Sequence, residues 1–368
     1  MMAGATRNLI YVADQADRES WLRARLEGLG GSDLSAILNE NPRKSPVNVW
    51  NERCDPLPIV DDAGERAEVG SMLEGPVISW YAQGAPTWPR TGGLRRVWRP
   101  PLVARRDRLW QRGSADGLVS DDPVEKPGQP VHPLYRPECD YYADDLDRPW
   151  DGGVEVKTHG WYAYASDYGN PDEPIPPDKK IQCAWYCELW GVPRWDLVAL
   201  VDTHLRRQWT YWHDPRFGAD LLTIAEDWWK RHIVGRVQPD PDGSNKYSEY
   251  LASRFPDSVT QTVTAGPLLD EVVEKLRRAR AASKTAETEV ERLEQIVQAS
   301  MGDADTLQTA IGRITWRTQN GRLKTGGALA ELYRQLGWGH AEIEAFENKH
   351  RGKKFRAFNV DRSWSNDA

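Results

Sequence analysis

Cysteine is scarce in this chain: among 368 residues the four are Cys54, Cys139, Cys183 and Cys187. None stands in a Cys-x-x-Cys pair, which speaks against a zinc or iron–sulfur centre and leaves reduced core thiols, Cys183 and Cys187 one helical turn apart. No stretch is long and apolar enough for a membrane span, and the residues from Met1 to Arg7 lack the apolar run of a signal peptide. The chain therefore reads as intracellular, with no membrane partner. An excess of positive charge is missing too. A net charge of −7 excludes a protein that coats nucleic acid indiscriminately, so any affinity for DNA has to come from local patches. What is present, 39% hydrophobic and 28% charged residues, suits a soluble globular chain with room for one large or two modest domains.

One basic patch stands out. Between Arg90 and Arg112 lie Arg95, Arg96, Arg99, Arg105, Arg106 and Arg108 against the single acid Asp107, interleaved with Trp98 and Trp110. Guanidinium groups grip phosphates and indoles stack on bases, so this stretch reads as a nucleic-acid track leading to Asp116. A solvated β-hairpin with a charged outer face is the equal alternative. Most of the 18 tryptophans sit in core-like patterns and read as structural.

The chain divides by pattern. Glu19 to Asn39 reads as a helix, a glycine-rich break at Gly28–Gly31 and a second helix capped by Ser32 or Asp33; its free N–H groups, with Ser32 and Arg25, would make an anion site. Gly70 to Gln83 reads as a helix that carries Glu74. Extended residues run from Leu94 to Val119. Residues 121–151, with six prolines and nine acidic residues against three basic ones, form a long acidic insertion. Gly153 to His159 is a strand and Lys179 to Trp190 a helix. A β pair follows at Trp195–Asp202 and Arg206–Trp212, then an amphipathic helix at Phe217–Val234. Val237 to Lys246 reads as a linker. The expected organisation is an α/β core over 1–245, with a mixed central sheet flanked by helices, and an appended α+β module over 246–368. That module has a long helix at Pro267–Met301, two strands near Leu307–Ala310 and Arg313–Thr318, short helices at Ala328–Leu336 and Glu342–His350, and a basic end before a last strand at Phe355–Val360.

The chemistry concentrates at Glu155-Val156-Lys157, about forty residues after Asp116-Gly117. Alternate side chains of a strand share a face, so Glu155 and Lys157 project together and an Asp from a neighbouring strand can meet them. Two hard carboxylates suit Mg²⁺ for attack on a phosphodiester, and an ammonium beside them can hold the water. A surface salt bridge on a strand is the bland alternative. On the helix at 179–190, Gln182 and Tyr186 lie one turn apart.

Taken in order, Trp21…Arg25…Leu29-Gly30-Gly31-Ser32-Asp33, Ser45…Trp50, Gly70-x-x-x-Glu74, Asp116-Gly117, Glu155-Val156-Lys157 and Gln182-x-x-x-Tyr186 resemble the YqaJ-type phage recombination exonucleases. These are related to the phage lambda exonuclease within the PD-(D/E)XK superfamily, and the resemblance covers roughly Ser20 to Gly243. It implies a restriction-endonuclease-like fold and a Mg²⁺-dependent exonuclease, with two ions and Mn²⁺ able to substitute. The substrate implied is double-stranded DNA ends, digested 5′ to 3′ in a host bacterial cytoplasm, with a phage single-strand annealing protein and a homo-oligomeric ring as partners. By the same resemblance Asp116, Glu155 and the Val156 carbonyl bind metal, Glu74 supports a second ion, and Lys157 holds or deprotonates the water. Gln182 orients the lysine and the phosphate, Tyr186 stands behind it, and Arg25 and Ser32 take a 5′-phosphate. Gly75 intervenes between Glu74 and Pro76, a departure from the family pattern. An endonuclease or repair nuclease of the same fold, or a non-catalytic DNA-binding protein, are the other classes compatible with these residues.

Overall fold

In the computed structural model, residues 8–14, 17–54, 64–82, 95–121, 146, 149–168, 175–202, 205–319 and 325–350 are described. Most of the acidic insertion, Cys139, Arg90 and the basic end with its expected last strand lie outside them. Two compact units divide the chain, Met1–Leu251 and Ala252–Ala368.

The first unit opens with β1 (Leu9–Ala13), α1 (Arg18–Leu26), α2 (Gly31–Ile37), α3 (Pro46–Cys54) and α4 (Gly64–Ala82). Then come β2 (Arg96–Trp98), β3 (Leu102–Arg105), β4 (Arg112–Gly113), β5 (Gly117–Ser120) and β6 (Gly152–His159). It continues with α5 (Trp161–Tyr168), α6 (Pro177–Trp190), β7 (Arg194–Val201), β8 (Leu205–Trp212), α7 (Pro215–Trp228) and α8 (Asn245–Arg254). Strands β2-β5-β6-β7-β8 form the central sheet in that order. Only β6 and β7 run parallel, joined by the crossover through α5 and α6, so the sheet is mixed. A smaller antiparallel sheet joins β1, β3 and β4.

Strand β6 is buried on both faces over its first five residues, as befits a central strand between two helical layers. Val154 and Val156 pack with Val77, Ile78 and Tyr81 of α4. The other face meets α6, whose Ile181, Ala184 and Trp185 join Trp195 and Leu197 in the larger core. A Cβ on Gly153 would come within 2.3 Å of the Trp195 ring, so this glycine makes room for the indole. The mixed central sheet flanked by helices is the architecture expected from the sequence.

Several details differ from that expectation. Gly30, not Ser32 or Asp33, is the cap of α2; its N–H donates to Asp33 Oδ2 at 2.9 Å, three residues ahead. Helix α7 ends at Trp228, and residues Trp229–Val234 continue as a π-helical turn. The 237–246 segment is held to the first unit: Gln238 Nε2 donates to Tyr247 Oη at 2.9 Å, and the buried Tyr247 and Tyr250 pack on Val47. Trp185, Trp190 and Trp228 are core residues as expected, whereas Trp212 on the edge strand β8 is exposed.

The second unit contains α9 (Pro267–Met301), the hairpin β9 (Thr306–Thr309) and β10 (Gly312–Thr315), and helices α10 (Thr325–Leu336) and α11 (His340–His350). Its aromatic cluster is Tyr333, Trp338 and Phe346.

Around the α2 cap, Asp33 is almost fully buried and paired twice. Arg53 lies 2.6 Å from Oδ2 and Lys44 2.7 Å from Oδ1, while Arg53 Nε also donates to Gly28 O at 2.9 Å. Burial alone would raise this carboxyl, but Arg53, Lys44 and Arg25 hold it well below the usual range. A depressed carboxyl stabilises the native state fully above its unfolded pKa of about 4 and loses that contribution as the pH falls through the native value. Asp33→Asn should therefore cost about 3–5 kcal/mol at neutral pH, because it removes the buried partner of Arg53 and leaves it only the more exposed Glu52, 3.3 Å away, as counter-charge. Urea unfolding across pH 3–7 checks this: the difference between variant and wild type should shrink on the acid side.

Candidate active site

Strand β6 outlasts its neighbour. Pairing with β5 ends at Gly117↔Val154, so the β5-facing edge of β6 is open beyond that point. Asp116, one residue before β5, fills the gap with its side chain: Oδ2 accepts the Val156 N–H at 2.7 Å. The N–H and C=O of one residue leave a strand on the same edge, so the Val156 carbonyl also faces the Asp116 side.

On the α6 face of β6, the Lys157 ammonium donates to Glu155 Oε1, which also accepts from Gln182 Nε2 at 2.7 Å. Glu155 is buried, and its other oxygen, Oε2, has no hydrogen-bond partner. One turn further along α6, Tyr186 Oη donates to Ser114 O at 3.1 Å and so steadies the approach to Asp116. Glu74 reaches the group from α4. A Cβ on Gly70 would lie 3.2 Å from Thr158 Oγ1, so this glycine lets α4 sit close on β6 one turn before Glu74. Glu74 is ion-paired at 2.8 Å with Arg99.

These charges are mutually unfavourable. Burial pushes the Asp116 carboxyl well above its ordinary value, and the Glu155 and Glu74 charges push it further. Burial also raises Glu74, with Glu155 adding to the effect and Arg99 and Lys157 opposing it. For Lys157 burial works downward, but the Glu155 and Asp116 carboxylates outweigh it and hold the ammonium above its usual range. Negative charge thus exceeds positive at the sheet edge. The donor set suits a hard divalent cation: the orphaned Glu155 Oε2, the crowded Asp116 carboxyl and the Val156 carbonyl. Among the described residues no three His, Cys, Asp or Glu side chains form a metal-holding group, so that set is two carboxylates and a backbone carbonyl.

A cleft of about 490 Å³ brings Glu155, Lys157, Gln182 and Tyr186 together with Arg25 and Ser32. The contact that joins the two groups is at Gly31, where a Cβ would stand 3.0 Å from Gln182 Cγ and 3.1 Å from its Cα. Arg25 lies over the Trp21 ring, 4.6 Å from its centroid. Three further basic residues of the same cleft, Arg43, Lys44 and Lys179, were not singled out from the sequence. The basic pairs Arg43-Lys44, just before α3, and Lys179-Lys180, at the start of α6, were the available signals.

Four arginines of the basic stretch are engaged within the fold. Arg112 is buried and donates to Ala24 O and, at 3.0 Å, to Leu109 O. Arg99 is taken by Glu74, Arg105 by Asp107, and Arg95 lies against Asp121 and Asp196. Trp98 is buried and stacks on Trp150, and Trp110 packs against Trp185. A guanidinium satisfied by an internal carboxylate or carbonyl serves the fold before any phosphate.

Residues 20–190 match the YqaJ-like viral recombinase domain family. The chain is 24% identical over 249 residues to "Uncharacterized protein YqaJ" of Bacillus subtilis (strain 168), an alignment that takes in 66% of this chain; the chain spans 65% of that relative's length. Among solved structures, an alkaline exonuclease (LHK-Exo) from Laribacter hongkongensis aligns with a TM-score of 0.40 and 14% identity, over 64% of this chain and 98% of its own. LHK-Exo in complex with dAMP gives a TM-score of 0.40 and 16% identity, over 64% and 97%.

The raised carboxyl of Asp116 has a testable cost. A group whose native pKa lies above its unfolded value weakens the fold as the pH rises through that interval, because the native state must give up a proton it binds more tightly. In EDTA, Asp116→Asn should therefore raise the urea midpoint at pH 8, with the gain vanishing towards pH 4. Millimolar Mg²⁺ should stabilise the wild type and leave the variant unmoved.

Proposed function

We propose, from the match of residues 20–190 to the YqaJ-like viral recombinase domain family, that this chain is a Mg²⁺-dependent exodeoxyribonuclease. It digests duplex DNA from its ends, 5′ to 3′, and leaves single strands for recombination through an annealing partner. The observation that carries this reading is the single cleft that joins Glu155, Lys157 and Gln182 to Arg25 and Ser32. A nuclease that cuts internally has no use for recognition of a terminal 5′-phosphate.

Asp116, Glu155 and the Val156 carbonyl would hold the cation, with Glu74 supporting a second or its water; Mn²⁺ would serve in the same oxygen set. Bound there, the cation supplies charge against the scissile phosphate and lowers the pKa of a water. Lys157, held as an ammonium by its carboxylate neighbours, donates to the attacking water and orients it on the α6 face of β6, and the water's proton passes to solvent. Gln182, by donating to Glu155, fixes the carboxylate and keeps its amide beside the lysine. Tyr186 locks the Ser114 backbone so that Asp116 stays against Val156. At the far side of the cleft, Arg25 and Ser32 take the terminal 5′-phosphate, with the N–H groups at the start of α2 beside them.

Digestion of linear duplex DNA, labelled at one end and with or without a 5′-phosphate, tests the reading. Mononucleotides should appear with Mg²⁺ and not with EDTA, and Lys157→Ala should slow their release by about 10²–10⁴-fold. Internal cutting would keep the chemistry and remove the end-processing role; binding without cutting would make the chain a DNA-binding module. Arg25→Ala should erase the preference for phosphorylated ends while leaving slow cutting of unphosphorylated ends unchanged.

A further inference from the structure

Helix α9 is 35 residues long, about 52 Å at the α-helical rise, and Met301 is its one buried residue. Leu269, Leu276, Ser283, Val290 and Val297 recur every seven residues, as do Val272, Ala279, Ala286, Leu293 and Ser300. Together they make one seam with the 3-4 spacing of a coiled coil. Four of the six large members of that seam are open to solvent, Leu269 53% exposed, Val272 56%, Val290 55% and Leu293 48%, and Leu276 and Val297 are part-buried. A seam of this length left in water marks an interface.

The flanking charges select both the occupant and its direction. Beside the seam run Lys275 and Arg280 in the first half of the helix and Glu287, Glu289 and Glu294 in the second. Two copies laid parallel would set Lys275 beside Arg280 and Glu289 beside Glu294 on each side, four like-charge contacts. Reversing one copy puts Arg280 opposite Glu287 twice. The same register meshes the seam with itself: Leu276 meets Leu293, Val272 meets Val297, Ala279 meets Val290, and Ser283 meets Ala286 at the two-fold axis. Small residues at the centre let the helix axes approach closely there, and larger ones fill the ends.

We propose that α9 pairs antiparallel with the α9 of a second copy of this chain, centred near Ser283–Ala286, making an isologous dimer. The pairing does not depend on the nuclease reading, since it uses no residue of the cleft.

Sedimentation equilibrium of the full chain tests it. Wild type should be dimeric. Leu276→Glu should be monomeric with unchanged helical circular dichroism, since Leu276 is only part-buried and its seam neighbours Leu269 and Val272 are exposed. Arg280→Glu should weaken the dimer about tenfold or more, a change of roughly 1.4 kcal/mol or greater, and adding Glu287→Arg should bring the affinity back towards wild type. A monomeric wild type, or a dimer indifferent to Leu276→Glu, would overturn the interface. Tighter association of Arg280→Glu would overturn the antiparallel direction, because that change converts the Lys275 contact of a parallel pair from repulsive to attractive.

Discussion

The early end of β5 is the constraint on which the rest of the site depends. Because pairing stops at Gly117↔Val154, the backbone of β6 beyond it needs another partner, and the Asp116 carboxylate supplies it at Val156. A buried backbone donor is rarely left unmet. Here the substitute for a missing strand is an ionisable side chain, and that choice puts a second carboxyl group at the open edge next to Glu155. The two helical layers then fall into place around one strand: α4 brings Glu74 and α6 brings Gln182 and Tyr186.

Two aspartates show how environment decides the use of one residue type. Asp33 meets Arg53 and Lys44 and is held ionised, a fixed strut between α2, α3 and the Gly28 turn. Asp116 meets Glu155 and Glu74 and is driven the other way. Desolvation acts alike on both, so the sign follows from the neighbours. Stability is concentrated at the first, and local destabilisation, the usual companion of a working site, at the second.

Periodic features were legible in the sequence. Glu155 and Lys157 share a face because strands repeat every two residues, and Gln182 and Tyr186 share one because helices repeat at about four; both pairs converge on the cleft. Helix α9 has the bounds expected of it, since thirty-five residues of one pattern leave little freedom. Short elements were less legible. Strand β1 and helices α3, α5 and α8 went unread because each is ten residues or fewer and is stabilised by tertiary contacts, such as Tyr247 and Tyr250 on Val47. Arginine partners were illegible for a similar reason: Arg99 finds Glu74 and Arg112 finds Ala24 O across long sequence separations that no local pattern encodes. Ser32 and Asp33 both looked like caps, and the true cap was a glycine, because Asp33 reaches backwards to satisfy it.

The close approach of Gly31 to Gln182 carries a lesson about how such a chain can change over generations. Side chain and backbone of residue 182 already crowd the place where a Cβ on residue 31 would stand. Position 31 cannot drift: a bulkier residue at 31 forces α2 away from α6, and with it separates Arg25 and Ser32 from the lysine. Lineages that diverge widely at the surface should keep glycine at 31, because no exchange at 182 removes the backbone atoms that crowd it, so the spacing across the cleft is inherited as a unit.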